Sequence, residues 1–231
     1  MTFSLKYVKI ERIMAQSTYL QLVNSVLRRV REKEVSSVQD NSYSKMVGEF
    51  VNDAKRQCED AYNWNAITTT LTASTTNGLF NYVLVGSGQR FRIIDVIDTT
   101  NKYFLEMQST SAMNQYFLTQ SSQYGTPKYF NFNGVDSNGD TQVDLFPIPD
   151  NTYVLSFNIV KPTVPLSADT DLIAIPSEPV IFNAVARAIA ERGEDGGMAS
   201  SEQYALFKQS LGDAIALESG RYIEEDSWDA N

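Results

Sequence analysis

The sequence Gly125-Thr126-Pro127-Lys128-Tyr129-Phe130 opens the region that decides the fold. It is followed by Asp144-Leu145-Phe146-Pro147-Ile148-Pro149-Asp150 and then by Tyr153-Val154-Leu155-Ser156-Phe157. This order predicts a strand, a turn, a second strand, a Pro-x-Pro-Asp corner and a third strand, because aromatic and β-branched residues favour strands and proline cannot donate to a ladder. A Pro-rich connection then leads to Ile175-Pro176-Ser177-Glu178-Pro179 and into a helix.

The alternation of aromatic or β-branched residues with polar ones also extends toward the amino terminus. It predicts strands over residues 67–75, 80–85, 91–98, 103–107, 128–133, 142–146 and 153–161. One helical turn is expected at residues 112–118. Strands at this close spacing favour an antiparallel sheet or a small barrel, because parallel strands would need helical crossovers.

Two helical pairs flank this β region. Helices are predicted over residues 19–31, with Ser17 or Thr18 as the cap, and over residues 44–62. A third begins at a Ser177 cap and ends at Gly193, and a Ser200–Gln203 capping box opens a fourth that ends at Gly220. Each has one apolar face, and Cys58 lies on that of the second. Four such faces can bury one another, which predicts a split four-helix bundle. The β region would then be an antiparallel β-sheet or barrel domain inserted between the two halves of the bundle, so the predicted fold class is α+β.

The predicted domain boundaries follow from these elements. An amino-terminal arm and helical pair would occupy residues 1–64, the β domain 65–161 and a linker 162–176. The second helical pair would complete the bundle over residues 177–220, before an acidic tail at 221–231. Met14 is a second plausible start of translation. Residues 1–13 are therefore either an extension that results from assigning the start too early or a short amino-terminal arm.

Composition excludes several classes of protein. The net charge of −9 argues against a protein that grips DNA through its phosphates. Cys58 is the only cysteine, so no intrachain disulfide can form. No apolar run approaches the roughly 20 residues that span a bilayer, and the amino terminus does not have the pattern of a signal peptide.

The charges are unevenly distributed. A basic cluster contains Arg28, Arg29, Arg31 and Lys33 beside Glu32, whereas residues 211–231 carry six acidic residues and one basic residue. The two regions are either solvated faces or complementary ends of subunits that meet in a ring. Trp228 lies in the acidic tail, where it would either anchor the tail in a partner's pocket or fold back on its own subunit. The candidate partner contacts are Arg28, Arg29, Arg31, Tyr222 and Trp228.

No motif indicates an enzyme, a cofactor or a metal. The chain has no histidine, which removes Ser-His, Cys-His and His-metal arrangements. The segment 136–144 resembles a calcium loop, but Thr141 stands where glycine is expected and Pro147 where a bidentate glutamate is expected. Asn138-Gly139 favours a hairpin there instead. Gly86-Ser87-Gly88 is too short for a phosphate cradle and is predicted to be a turn. A paired-carboxylate hydrolase is not excluded by composition, but no acid lies in a recognisable motif.

The order of elements over residues 125–157 and 175–192 resembles the head-to-tail adaptors of short-tailed bacteriophages, the tail tubular protein A type. Trp64 lies just after the second helix and resembles a tryptophan that such proteins often have at this position. The alternative is that Trp64 only anchors the core or a hinge. The resemblance implies a ring of about twelve copies. The ring would join the portal to the tail nozzle in the virion, after assembly in the host cytoplasm, and tail fibres are a further expected partner. It would enclose a channel for double-stranded DNA without binding it specifically, which suits an acidic wall.

Two alternatives remain open at this point. The chain could be a glycan-binding or fibre-associated tail module, because its β region is rich in aromatic residues (Tyr82, Phe91, Tyr103, Phe104, Tyr129, Phe130). It could also be a hydrolase on an unfamiliar scaffold.

Overall fold

The structure is a computed structural model that describes residues 16–119, 123–193 and 198–221. The fold is α+β, as predicted, and the chain divides into two compact units. The helical unit contains the described residues up to Cys58 and those from Val164 onward, and the β unit contains Glu59–Thr163.

The α-helices are α1 (Tyr19–Arg29), α2 (Ser42–Ala61), α3 (Thr110–Thr119), α4 (Ser177–Arg192) and α5 (Met198–Ser219). The strands are β1 (Thr68–Ser74), β2 (Asn81–Val83), β3 (Arg92–Asp98), β4 (Tyr103–Phe104), β5 (Glu106–Met107), β6 (Tyr124–Gly125), β7 (Tyr129–Val135), β8 (Thr141–Phe146), β9 (Ile148–Pro149) and β10 (Val154–Val160).

Local capping chemistry explains where α1 begins and where α4 ends. Thr18 Oγ1 accepts from the Gln21 N–H at 3.2 Å, and Gln21 Oε1 accepts from the Thr18 N–H at 2.9 Å, so a capping box opens α1. Gly193 ends α4 in the left-handed conformation at φ 64°, as predicted. Two predicted caps are wrong: Pro176 rather than Ser177 precedes α4, and α5 begins at Met198, so Ser200 lies inside the helix rather than at its cap.

In the helical unit, α4 packs against α1 and α5. A hydrogen bond of 2.8 Å from Asn183 to Gln57 joins α4 to α2. The start of α1 lies close to α2 at Gly48, where a Cβ atom would come within 2.3 Å of the Tyr19 hydroxyl. Only glycine fits at that approach without displacing the tyrosine ring.

The Pro-rich connection between the units continues into the helical unit. Leu166, Ile173 and Ile175 are buried there. Asn52 of α2 makes two hydrogen bonds to this connection. Its side-chain N–H donates to the Leu166 carbonyl at 3.0 Å, and its side-chain oxygen accepts from the Leu166 N–H at 2.8 Å. Residues 164–176 are therefore packed against the helices rather than free of them.

The β unit contains two four-stranded sheets and a two-stranded sheet formed by β6 and β9. One four-stranded sheet has the order β1-β10-β3-β4 and the other β2-β8-β7-β5. One hydrophobic core contains side chains from both sheets, among them Val96, Phe130, Leu145 and Phe157. The alternating strand patterns place every second side chain in this core.

The predicted antiparallel pairing holds for the long strands, but β5 pairs with β7 and β6 pairs with β9 in parallel. The predicted strand over residues 103–107 is split, because the buried Leu105 lies where the chain passes from β4 in one sheet to β5 in the other. The predicted single helical turn is the ten-residue helix α3. Its Tyr116 and Phe117 rings pack on Phe146 at centroid distances of 5.2 and 5.5 Å, which explains why it is longer than the sequence pattern suggested.

Candidate partner-binding surface

The predicted basic contacts lie at the carboxyl end of α1. The helix ends in a Schellman motif, in which the Glu32 N–H donates to the Leu27 carbonyl at 2.9 Å and the Arg31 N–H to the Arg28 carbonyl at 3.2 Å. Arg31 occupies the left-handed position of this motif, with φ 61°. Glycine normally stands there because a side chain costs roughly 1–2 kcal/mol in this conformation. An exposed arginine is therefore present at a position where local stability favours glycine.

The basic residues of this surface differ in how they are held. Arg28 pairs with Glu34 at 3.1 Å, with both side chains at least half exposed. The Arg29 guanidinium lies over the Phe182 ring of α4, 4.5 Å from its centroid. Arg31 and Lys33 are exposed and have no carboxylate partner among the described residues.

Arg192 anchors this corner of the helical unit, and sequence reasoning missed it. From the last turn of α4, its guanidinium donates to the Val30 carbonyl at 3.1 Å and to the Tyr43 hydroxyl at 3.0 Å, and it pairs with Glu32. Its side chain is 23% exposed. The hydrogen bond to Tyr43 and the pairing with Glu32 raise the pKa of Arg192. Three helix ends meet at this one side chain, and Glu32 is thereby withdrawn from the basic cluster.

We define the α1 carboxyl surface as Arg28, Arg29, Arg31 and Lys33. These four residues lie within one six-residue segment of the chain. Because Glu32 is paired with Arg192 and Glu34 with Arg28, the basic side chains left for a partner are chiefly Arg31 and Lys33. The other two predicted contacts, Tyr222 and Trp228, lie outside the described residues.

The calcium-like segment is a hairpin, as predicted. Asp136 Oδ1 accepts from the N–H groups of Asn138 and Asp140 at 2.9 and 2.8 Å, which closes the turn between β7 and β8. Asp140 instead faces the Gly86-Ser87-Gly88 turn and accepts from the N–H groups of Gly86 and Gly88 at 3.0 and 2.9 Å. These backbone N–H groups, that of Gly86 first, hold the pKa of the Asp140 carboxyl below its ordinary value. Within the described part of the chain, no three acidic or cysteine side chains converge as metal ligands would.

The aromatic residues of the β unit mostly point inward. Phe130 is in the core, and Tyr82, Phe91 and Tyr103 pack against it. Tyr129 stacks on Tyr116 at 5.4 Å, which leaves Phe104, 65% exposed, as the member of the predicted aromatic set that faces solvent. Trp64 is 1% exposed and packs edge-on against Tyr62, so it is a buried anchor. Five of the six aromatic side chains therefore serve the fold rather than a glycan platform.

The comparison with protein families finds a match to the model described as SU10 adaptor protein, and the match extends over residues 17–227. The chain belongs to the SU10 adaptor protein family. The search of curated proteins finds no match. The matched residues include α1 to α5 and the whole β unit, so the family assignment covers both units.

Membership of the SU10 adaptor family identifies the chain as a structural adaptor of a bacteriophage. The chain is accordingly a virion protein that interacts with other capsid or tail proteins of the phage, and proteins of this structural kind are not typically enzymes. The predicted role as a phage adaptor is confirmed at this level. None of the helices in the described ranges is both long and apolar enough to cross a membrane.

Proposed function

We propose that this SU10 adaptor forms a ring of about twelve copies that joins the portal to the tail nozzle and encloses the DNA ejection channel, as tail tubular adaptors do. The observation that carries the proposal is the family match over residues 17–227. It agrees with the independent resemblance of residues 125–157 and 175–192 to head-to-tail adaptors. Tail fibres are a further partner in this proposal.

The charge of the chain supports a role as a conduit. At a net charge of −9, a ring of these subunits repels phosphate on average, which allows a duplex to slide through without sticking. Tight DNA binding through the phosphates would instead need a basic lining. We propose that the channel wall is acidic and that the basic residues serve contacts between proteins.

The α1 carboxyl surface is the proposed site of contact with the portal. Arg31 and Lys33 are exposed, and Arg29 is oriented by Phe182. Charged side chains at the rim of an interface steer association and set register more than they add affinity. Tyr222 and Trp228 are proposed to contribute from the tail. We further propose that α1, α2, α4 and α5 act as one split four-helix bundle in this role.

Native mass spectrometry of the purified chain, alone and mixed with the portal ring encoded beside it, tests the proposal. We expect a monomer alone and a single defined multimer on the portal. If the chain stays monomeric with portal in excess, the connector role is wrong.

A matched pair of variants tests the proposed contact. The double variant Arg31→Gln and Lys33→Gln should slow assembly on the portal, and the effect should shrink as salt is raised because the charges are exposed. The control Arg56→Gln with Lys208→Gln removes the same charge from two exposed positions of the same unit. Equal slowing by both pairs would show that only net charge matters and would remove the α1 carboxyl surface from the proposal.

A further inference from the structure

The strand β1 forms an edge of its sheet that the described residues leave uncovered. It pairs with β10 along its whole length and with no other described strand. Its sequence, Thr-Thr-Thr-Leu-Thr-Ala-Ser, contains no charge, proline or glycine. Edge strands usually carry such residues or are very short, because an open edge pairs with other chains. β1 has neither protection.

The other sheet edges are much shorter. β2 has three residues, and β4 and β5 have two each, whereas β1 has seven. A short edge offers too few backbone groups to hold another strand. β1 is thus the long open edge among the described strands.

The register identifies which backbone groups of β1 are free. The Lys161 N–H donates to the Ile67 carbonyl, and the Thr75 N–H donates to the Tyr153 carbonyl. Hydrogen-bonded pairs alternate along an antiparallel ladder, so the odd-numbered residues of β1 bond to β10. The N–H and C=O groups of Thr70, Thr72 and Ser74 therefore point away from β10, and these three residues are exposed.

The two faces of β1 define the strand that would fit beside it. On the inner face, Leu71 and Ala73 are half-buried and pack against the core, so neighbours on that side should be apolar. On the outer face, Thr70 donates to Asn158 at 2.6 Å, within a polar ladder across the sheet. Neighbours there should be polar. The ligand is therefore an extended segment in which apolar and polar residues alternate.

The chain itself contains such a segment. Residues 2–7 read Thr-Phe-Ser-Leu-Lys-Tyr, with Phe3, Leu5 and Tyr7 alternating with polar residues. We propose that β1 binds residues 2–7 of a neighbouring copy as an added antiparallel or parallel strand. This inference rests on the proposed ring. Each copy offers one such segment and one open edge, so head-to-tail exchange around a closed ring leaves no β1 edge unpaired.

Hydrogen exchange on the full chain tests the proposal directly. The amides of Thr70, Thr72 and Ser74 should exchange rapidly in the monomer and at least about tenfold more slowly in the portal-bound multimer. Protection that is already present in the monomer at all concentrations would mean that the edge is covered within one chain, and it would overturn the assignment to a neighbour. A multimer without protection would overturn the inference and leave the ring role standing.

A backbone-specific pair of variants tests the same contact. Thr72→Pro removes an N–H group that points outward without breaking the ladder to β10, whereas Thr72→Val retains that N–H. A labelled peptide of residues 1–13 should bind full-length Thr72→Val about as well as the parent and bind Thr72→Pro at least about tenfold more weakly. Circular dichroism checks that both variants are folded.

The peptide experiment separates this inference from the proposed function. Peptide binding that is lost in Thr72→Pro supports the β1 contact even when no multimer forms on the portal, in which case the ring role alone fails. Assembly on the portal without peptide binding overturns the β1 contact alone. Equal peptide binding by Thr72→Pro and Thr72→Val also overturns it, because a contact at the edge depends on that N–H.

Discussion

The helical unit and the β unit leave different chemical groups for partners. In the helical unit, both ends of α1 and the carboxyl end of α4 are capped. What faces solvent is a set of side chains that includes Arg31, Lys33 and, in α5, Leu217, which is 75% exposed. In the β unit, the core side chains of both sheets are buried, and β1 leaves backbone groups open along its outer edge. Recognition by the first unit should therefore depend on side-chain identity, and recognition by the second should tolerate side-chain changes that preserve the backbone.

Both units have a buried apolar core, and the helical unit illustrates how polar side chains can reinforce one. The β unit depends on one apolar core with side chains from both sheets. The helical unit adds polar anchors that join segments distant in sequence, such as Arg192 to α1 and α2, and Asn52 to Leu166. The loss of a buried ring such as Phe157 should therefore destabilise the β unit, and the loss of a polar anchor such as Arg192 should destabilise the helical unit.

The largest expected effect is the loss of a ring from the core of the β unit. Phe157 is fully buried and its ring packs edge-on against Phe130 at 6.2 Å. Phe157→Ala should lower the free energy of unfolding by about 4 kcal/mol, because it removes apolar contacts and leaves a cavity. Urea denaturation followed by fluorescence would measure this change.

Val85→Ala is the matched control in the same unit. Its side chain is 77% exposed, so the free energy of unfolding should change by less than about 0.5 kcal/mol. A loss of less than about 1.5 kcal/mol for Phe157→Ala would show that the core is not what holds the two sheets together.

A smaller but substantial loss is expected at the polar anchor of the helical unit. Arg192→Ala removes the donors to the Val30 carbonyl and the Tyr43 hydroxyl and the partner of Glu32. We expect the free energy of unfolding to fall by about 2 kcal/mol, since hydrogen bonds from a charged, partly buried group contribute more than neutral ones. Thermal unfolding followed by circular dichroism at 222 nm would report it.

Arg192→Lys separates charge from geometry at this position. Lysine keeps the positive charge but has all its donors on one nitrogen and lacks the planar fork with which Arg192 reaches its three acceptors, so it should recover less than half of the loss. Full recovery by lysine would mean that only the attraction to Glu32 matters. The contribution of Arg192 to the stability of the helical unit would then come from its charge rather than from the geometry of its hydrogen bonds.

Local sequence patterns predicted the elements that depend on local rules. The strands around residues 125–157 and the Asn138-Gly139 hairpin follow from alternation and turn chemistry, and the Cys58 face follows from helical periodicity. The split at Leu105 was not predictable, because it depends on which sheet each half of the strand joins. The role of Arg192 was missed for a similar reason, since its partners lie about 150 residues away in sequence. The left-handed conformation of Arg31 left no such signal, because no glycine follows α1 in the sequence.

The smallest expected effect distinguishes a position kept for binding from one kept for folding. Arg31 and Lys102 are the two described residues other than glycine with positive φ, at 61° and 65°, one in each unit. Glycine relieves the steric cost of this conformation, so Arg31→Gly and Lys102→Gly should each raise the free energy of unfolding by about 1 kcal/mol. Calorimetry would measure both shifts.

Binding should separate the two variants although their stabilities change alike. Arg31→Gly removes an exposed charge of the α1 carboxyl surface and should slow assembly on the portal. Lys102→Gly changes a turn of the β unit, where the Lys102 N–H donates to the Asp98 carbonyl, and should leave assembly unchanged. Backbone strain that persists against a more stable alternative favours a role for the side chain. If Arg31→Gly assembles at the parental rate, its strain has no functional counterpart, and the helical unit must recognise its partner through other side chains.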